Sequence, residues 1–301
     1  MLSAAGALSQ DAVPLPYAES RIGKLLAEIR TASGDTALLA ANDLLVEALS
    51  RMLARKDAFS YPFDSLKGIT SVTSPDRRFR LFTWPVRLAG GTYRYSGILQ
   101  VPDKKAGTVA VTVLRDAADS LRAPGTAILS GPDWFGQVCY QVIPVRTADG
   151  TVYTLLGWRG LGLLVSSKLI DVLSFGEGGG VTFGKAIFCA KDALPDTRII
   201  FRYSAGASMV LTYEKQAVVT GKSWNSKKRE FEVQRIREMM IVCDRIQPMD
   251  PNMEGRYEYY IPASDVMDGF AFTGGCWKKV SEVDARNPYQ KPKPLPKTPA
   301  R

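Results

Sequence analysis

The feature that most constrains the fold is the spacing of apolar residues, which changes near residue 60. Before this point apolar residues recur at helical intervals, and after it they alternate with period two. In RFRLFTW (78–84), Phe79 and Leu81 alternate with Arg80 and Phe82. Alternation of this kind is typical of β-strands, whose successive side chains point to opposite faces. The sequence therefore predicts strands from about residue 61 onward.

Two segments of the β region repeat the same pattern. PVRLAGGTYRYSGIL (85–99) is echoed by PVRTADGTVYTLLGW (144–158), with a Gly90-Gly91 turn in the first copy and Asp149-Gly150 in the second. Gly-Gly and Asp-Gly supply the positive φ angles that a tight hairpin needs. The echo predicts two β-hairpins of one antiparallel architecture. It indicates either a duplicated unit or convergence on favourable hairpin sequences.

Further short alternating runs, separated by Gly, Asp and Pro, continue to the C-terminal region. The predicted fold is mainly β with an N-terminal helical hairpin (α+β), as an antiparallel sandwich or open barrel built of hairpins. We divide the chain into a leader or flexible N-terminus (1–17), a helical hairpin (18–58), an antiparallel β domain (59–287) and a disordered Pro/Lys-rich tail (288–301).

The helical hairpin is predicted from apolar residues at helical spacing. Ile22, Leu26 and Ile29 form one stripe, and a second stripe follows the SGD break at 33–35. Ser33 or Asp35 can cap the second helix. Membrane-surface or partner helices are alternatives, but docking on the β domain is favoured because amphipathic helices usually bury their apolar stripe in this way.

The net charge of +9 is concentrated at the C-terminal end. Five of these charges follow Asp284 in a proline-rich segment that has no acidic residue. The remaining charge is ordinary for a body of this size, so nucleic acid is not favoured as a partner. The tail could instead tether the protein to an anionic surface. A membrane-spanning helix is not expected, because Lys168 and Asp171 interrupt the most apolar stretch.

The chain contains no histidine. This excludes Ser-His-Asp and Cys-His mechanisms and the usual zinc and non-haem iron sites. The cysteines, Cys139, Cys189, Cys243 and Cys276, form no CxxC pair. Cys139, Cys189 and Cys243 lie in apolar runs, where cysteine behaves as a small buried hydrophobe. An oxidising compartment could pair the four in three ways, among which the sequence does not choose. No cofactor is predicted.

Several segments together resemble a group of uncharacterised exported proteins of Gram-negative bacteria: YPFDSLKGI (61–69), SPDRRFRLFTW (74–84), IDVLSF (170–175), IIFRYSAGASMVL (199–211) and CWKKVSEVDARN (276–287). The resemblance covers roughly residues 60–287 and implies periplasmic or secreted residence with no assigned activity. An A-x-A pattern at Ala5-Gly6-Ala7 is consistent with the end of a signal peptide.

One basic cluster lies inside the predicted β domain and is the candidate ligand-binding site. WNSKKR (224–229) places three cations beside an aromatic ring, and such a set suits an anionic, partly planar ligand such as an acidic glycan, a lipid headgroup or a nucleic acid strand. Acidic residues are interleaved with the basic ones that follow, which favours an ordinary solvated turn. The predicted binding residues are Trp224, Lys227, Lys228 and Arg229, with Arg235 and Arg237 shortly after.

A second candidate is a calcium-like loop in DPNMEG (250–255). Asp250, Asn252 and Glu254 present oxygens at alternate positions before Gly255. Ile261 occupies the position where a bidentate Glu is expected, and a polar turn explains the segment equally well. The five tryptophans stand beside turns or at strand ends, where they either close the core or form a stacking platform for a glycan.

Two functions remain at this point. The favoured one is a non-enzymatic exported or envelope-associated protein with a binding or assembly role. The alternative is a carboxylate-dependent glycan-active enzyme, which requires two carboxylates about 5 to 9 Å apart in a cleft. The sequence pairs no such carboxylates, and enzymatic activity is therefore the less favoured reading. The oligomeric state is not predicted.

Overall fold

The computed structural model describes residues 13–103, 105–189, 196–226 and 229–283. Side chains within these ranges are described except for residues 217–222, 225, 230–236, 265, 281 and 282. The described chain is mainly antiparallel β with an N-terminal helical hairpin, which confirms the predicted fold class. It forms stacked sheets, and none of its described helices is long and apolar enough to cross a bilayer.

The described elements follow the predicted order of helices and then strands. The helices are α1 (Leu15–Thr31) and α2 (Asp35–Leu53). The first half of the β region contains β1 (Thr70–Thr73), β2 (Arg80–Arg87), β3 (Tyr93–Asp103), β4 (Thr108–Asp116), β5 (Leu129–Ser130), β6 (Asp133–Trp134), β7 (Val138–Thr147) and β8 (Gly150–Gly160). The second half contains β9 (Val165–Phe175), β10 (Val181–Phe183), β11 (Phe188–Cys189), β12 (Ile199–Ser204), β13 (Leu211–Asn225), β14 (Glu230–Pro248), β15 (Tyr260–Thr273) and β16 (Cys276–Val283).

These strands form three sheets. The first has the order β1-β2-β3-β4-β6, and the second has the order β5-β10-β9-β8-β7 with β12 also paired to β9. The third has the order β11-β16-β15-β14-β13. All pairings are antiparallel except β4–β6 and β11–β16. The two echoed segments form the β2–β3 and β7–β8 hairpins, with Pro85 opposite Tyr95 and Pro144 opposite Tyr153.

The helices and sheets stack as four layers with a separate apolar core at each interface. Leu45 and Leu49 of α2 pack with Phe82 and Trp84 on the outer face of the first sheet. The other face of the first sheet packs on the second sheet through residues such as Phe79 and Leu155. The second and third sheets meet through Leu156, Ile170, Ile241, Phe270 and Trp277. Successive side chains of β2 and β9 point to opposite faces of their sheets, so each of these two strands contributes to two of the cores.

Polar side chains fix the helical hairpin on the first sheet. Asn42 accepts a hydrogen bond from Trp84 Nε1 at 2.8 Å and donates to Ser96 Oγ at 3.1 Å. Buried Glu19 accepts from Tyr61 Oη at 2.7 Å. The predicted cap of α2 is wrong: Gly34 is the N-cap residue, and the carboxylate of Asp35 instead accepts from the backbone N–H of Ala89 at 2.7 Å.

The cysteines divide into one disulfide and two free thiols. Cys189 of β11 is bonded to Cys276 of β16, while Cys139 and Cys243 are buried and free. The prediction that Cys189 is a buried hydrophobe is therefore wrong. Cys189 is exposed at the edge of the third sheet, where the parallel pairing of β11 with β16 brings it beside Cys276. Burial raises the pKa of the Cys139 and Cys243 thiols to about 12, which makes them poor nucleophiles.

Candidate functional site: the β13–β14 arm

The predicted binding cluster lies at the end of a long two-stranded ribbon. β13 and β14 pair continuously from Leu211↔Cys243 to Asn225↔Glu230. β15 pairs with β14 only between Ile241 and Pro248. Residues 214–240, which we call the arm, therefore extend beyond the end of β15 by about 30 Å at the usual rise of a strand.

The arm forms because its sequence alternates and ends in a short turn. Arg229, directly before β14, has a φ of 53°, the left-handed conformation that tight hairpin turns require. A register shift between Val219 and Gly221 places one additional residue on β13. Bulges of this kind bend a ribbon and increase its local twist.

The register sorts the charged residues of the arm onto two opposite faces. Residues directly opposite each other in an antiparallel pair share a face, and so do residues two apart on one strand. Beginning from the Lys215↔Met239 pair, one row of positions holds four basic and no acidic residues: Lys215, Lys222, Arg235 and Arg237. Beginning from the Glu214↔Met240 pair, the other row holds four acidic and no basic residues: Glu214, Glu230, Glu232 and Glu238. We call these rows the basic face and the acidic face.

The described side chains agree with this assignment. Lys215, Arg237 and Met239 of the basic face are exposed, and so are Glu214 and Glu238 of the acidic face. Gln216 donates a hydrogen bond to Glu214 Oε1 at 2.7 Å, as expected for positions two apart on one face. The positions of the interleaved acidic residues therefore lie on the opposite face of the ribbon from the positions of the basic residues.

Trp224 and Arg229 both lie near the tip of the arm. Trp224 stands opposite Phe231 in the register, which places it on the basic face, and it is 55% exposed. Arg229 is exposed in the connecting turn. Lys227 and Lys228, the other two residues of the predicted cluster, lie outside the described residues.

The other four tryptophans do not form a surface platform. Trp84, Trp134 and Trp277 are at most 2% exposed. Trp158 is half-buried and packs its ring edge-on against Tyr93. Trp277 Nε1 donates to Thr154 Oγ1 at 2.9 Å, a bond that joins the third sheet to the second. Of the five tryptophans, Trp224 is the one that remains as a candidate for stacking.

Asp250, the first residue of the calcium-like loop, has a structural role. Asp250 Oδ1 accepts a hydrogen bond from the backbone N–H of Asn252 at 2.8 Å and caps a short 3₁₀ turn, Pro251–Met253. Glu254 is exposed after this turn. Across the described residues, no group of three or more His, Cys, Asp or Glu side chains is arranged to hold a metal. The calcium interpretation stays a prediction, with Asp250 already used as a cap.

A buried charge cluster between the first and second sheets went unrecognised in the sequence. Arg198 and Asp171 are fully buried and form an ion pair at 3.2 Å. Arg159 and Asp116, nearly as buried, pair at 2.7 Å. Both guanidinium groups lie over the ring of Phe135, at 5.4 Å for Arg159 and 5.3 Å for Arg198. An aspartate inside the apolar run KLIDVLSF was the available signal, because a charge in such a run requires a buried partner.

Burial raises the pKa of Asp171, although the charge of Arg198 opposes this shift. Perturbed carboxyls often mark active sites. Asp171, however, has no solvent access and is held by Arg198 and by the backbone N–H of Val172 at 2.8 Å. We assign this cluster to the stability of the core.

Two cavities of the described chain could hold the paired carboxylates that glycan hydrolysis needs. The larger, of about 520 Å³, lies between α1 and α2, and Glu28 is its one carboxylate. The smaller, of about 310 Å³, lies beside the α1–α2 and β2–β3 turns, and Asp35 is its one carboxylate. Neither cavity brings two carboxylates together.

Comparison with known proteins adds no family to this description. No family model, curated protein or solved structure matches the chain. The resemblance to exported proteins therefore stays a prediction.

Proposed function

We propose that the protein is a non-enzymatic binding module of the cell envelope or the secreted fraction, which holds an acidic glycan along the basic face of its arm. The observation that carries the proposal is the sorting of charge in the register of β13 and β14. A row of cations without interspersed carboxylates attracts a polyanion, whereas a mixed surface does not.

The geometry of a strand suits a linear ligand. Positions on one face recur about every 7 Å along a strand. The cations from Lys215 to Lys222 therefore form an extended row rather than a compact pocket. Exposed Trp224 lies at the outer end of this row, where an indole face can stack on a sugar ring. A single small anion would contact only part of such a row.

The acidic face does not cancel this attraction. Its described carboxylates, Glu214 and Glu238, belong to the opposite face of the ribbon, so the thickness of a sheet, on the order of 10 Å, separates them from a ligand on the basic face. At physiological salt, interactions between exposed charges are largely screened beyond about 8 Å. The acidic face instead disfavours wrapping of the polyanion around the arm.

Two further observations support this proposal. A two-stranded ribbon is only marginally stable in water by itself, so an arm of this length gains stability from a bound partner. The Cys189–Cys276 disulfide is of the kind that persists in oxidising compartments, which supports an exported location.

The test is titration of the full chain with heparin and with polygalacturonate, followed by calorimetry at several salt concentrations between about 50 and 200 mM. The variant Lys215→Gln/Arg237→Gln removes two exposed charges from the basic face. We expect weaker binding and a loss of up to about two units from the slope of log K against log salt. Oligo-dT serves as a competing polyanion, and tighter binding of oligo-dT than of either glycan contradicts the glycan assignment.

The matched control is Glu214→Gln/Glu238→Gln, which removes two charges from the acidic face of the same arm. If binding depends on the basic face, this control leaves the salt slope unchanged. If binding follows only net charge, the control strengthens binding as much as the first variant weakens it, and the proposal fails.

A further inference from the structure

A cavity between α1 and α2 lies far along the chain from the arm and is chemically different from it. Its volume of about 520 Å³ is within the ordinary range for small-molecule sites, roughly 300 to 1,000 Å³. Both helices use their buried stripes, which include Ile22 and Leu45, to contact each other and the first sheet. The cavity opens on the side of the hairpin that remains.

The lining of this cavity is apolar at its base and basic at its rim. Ile22 and Met52 are buried at the base, and Leu25 is half-buried beside them. Arg21 and Lys24, one helical turn apart on α1, stand exposed at the rim. Side chains at this spacing share a helix face.

The charges at the rim are not neutralised by the carboxylates beside them. Arg51 is paired with Glu47, and Arg55 is paired with Asp57 at 2.6 Å. Arg21 and Lys24 form no ion pair with any described residue. Glu28 is the one carboxylate in the lining and lies one turn beyond Lys24. The rim therefore presents two available cations above an apolar base.

We infer that this cavity binds a single-chain anionic amphiphile: an alkyl chain of fatty-acid type on Ile22, Leu25 and Met52, with its carboxylate or phosphate head on Arg21 and Lys24. An apolar chain gains from leaving water in proportion to the area that it buries. The head group stays at the rim, where charge-assisted hydrogen bonds to cations are the stronger kind. A neutral apolar molecule would leave both cations without an anionic partner. A fully polar anion would leave the apolar base exposed to water.

The first experiment uses the full chain and sodium dodecanoate below its micelle-forming concentration, measured by calorimetry. Dodecanol tests the need for the charge, acetate tests the need for the chain, and dodecyl phosphate distinguishes a phosphate head from a carboxylate head. We expect both anionic C12 compounds to bind at least about tenfold more tightly than dodecanol, with no binding of acetate. Equal affinity for dodecanol overturns the inference.

Variants then locate the site. Arg21→Gln/Lys24→Gln changes two exposed residues, so folding is expected to be preserved, and dodecanoate binding is expected to fall at least about tenfold. Ala48→Leu adds volume to the lining and is expected to weaken binding of the chain. The control Arg94→Gln/Arg146→Gln removes two exposed cations outside the cavity and should leave binding unchanged. Equal loss in the control, or unchanged binding in the first variant, overturns the inference.

Two other occupants are outcomes of the same series. The backbone carbonyl of Val13 accepts a hydrogen bond from Arg55 at one end of the cavity, so the preceding residues of this chain are a competing occupant. If the full chain does not bind dodecanoate and a variant lacking residues 1–12 does, the chain itself fills the cavity and the inference fails. Binding of an acidic amphipathic peptide without binding of dodecanoate also overturns it.

Discussion

The core between the first two sheets and the β13–β14 arm use the same charged residue types in opposite ways. In the core, Arg198 and Arg159 are enclosed and paired with Asp171 and Asp116. On the arm, basic and acidic residues occupy opposite faces, and the described ones are exposed. A charge in the core is committed to its partner because it has lost water, whereas a charge on the arm keeps water and can exchange it for a ligand. Burial, and not residue type, separates the charges that hold the core from those that the proposed function uses.

The largest effect is expected from breaking the fully buried pair. Arg198→Met leaves the carboxylate of Asp171 buried without its cation, and such losses typically cost about 3 to 5 kcal/mol of unfolding free energy. Arg198 Nη1 also donates to Pro124 O, and to Ala127 O at 2.9 Å, so two carbonyls lose a partner as well. Urea denaturation measures the change.

The matched control removes both charges. Arg198→Met/Asp171→Leu is expected to recover most of the lost stability, because replacing both partners of a buried pair by apolar residues is often neutral. A single variant that loses less than about 1 kcal/mol would place Asp171 in a solvated environment and contradict the structural role assigned here.

The next effect concerns the disulfide at the edge of the third sheet. Cys189→Ser/Cys276→Ser opens a loop with a sequence separation of 87 residues. Loss of a native disulfide typically costs about 2 to 5 kcal/mol. We expect a lower Tm in the double variant, and a matching decrease when the unmodified chain is reduced. The buried thiols Cys139 and Cys243 are the internal control, since Cys139→Ala/Cys243→Ala should leave sensitivity to reductant unchanged.

A smaller effect is expected from acid, through Asp268 on β15. Burial alone would raise the pKa of this carboxyl, but hydrogen bonds from Arg245 at 2.6 Å and from Lys279, whose Nζ lies 3.0 Å away, outweigh it and hold the pKa below the usual 3.8. A lowered folded pKa contributes stability above about pH 4 that is lost as the pH falls through the folded value.

Asp268→Asn is therefore expected to lower Tm at neutral pH and to flatten the decline of Tm below about pH 4. The stability contribution is on the order of 1 kcal/mol, because Arg245 and Lys279 are partly exposed and screened. Thermal melts between about pH 2 and 7 measure it. An acid decline of equal steepness in Asp268→Asn and the unmodified chain contradicts the assignment.

The smallest change in stability is expected on the arm, where the change in binding is largest. Lys215→Glu/Arg237→Glu reverses two exposed charges and should alter the unfolding free energy by no more than about 0.5 kcal/mol. The same variant is expected to abolish polyanion binding. A large loss of stability would show that the basic face packs against the body and is unavailable to a ligand.

The local features of this chain could be predicted because they depend on neighbours in sequence. The two hairpins at 85–99 and 144–158 follow from alternation and Gly-containing turns, and the helical hairpin follows from apolar spacing before residue 60. The predicted cap of α2 was wrong because the carboxylate of Asp35 accepts a hydrogen bond from the backbone N–H of Ala89, which lies in the turn between β2 and β3. The binding role of Trp224 and Arg229 stays a prediction, and the register of β13 and β14 adds that the interleaved glutamates occupy positions on the opposite face of the ribbon from the basic residues.

By itself, the sequence determined the strands, their turns, the two helices and the absence of histidine chemistry. The sequence of β14 was also sufficient to predict that Arg235 and Arg237 belong to one face and Glu232 and Glu238 to the other, because successive residues of a strand point to opposite faces. Only the tertiary structure decided which residues of β13 join each face, through the register and the shift at Val219. It also decided that Cys189 bonds Cys276, that Asp171 meets Arg198, and that two helices enclose a cavity. These depend on packing between segments distant in the chain, and no local pattern of residues encodes such distances.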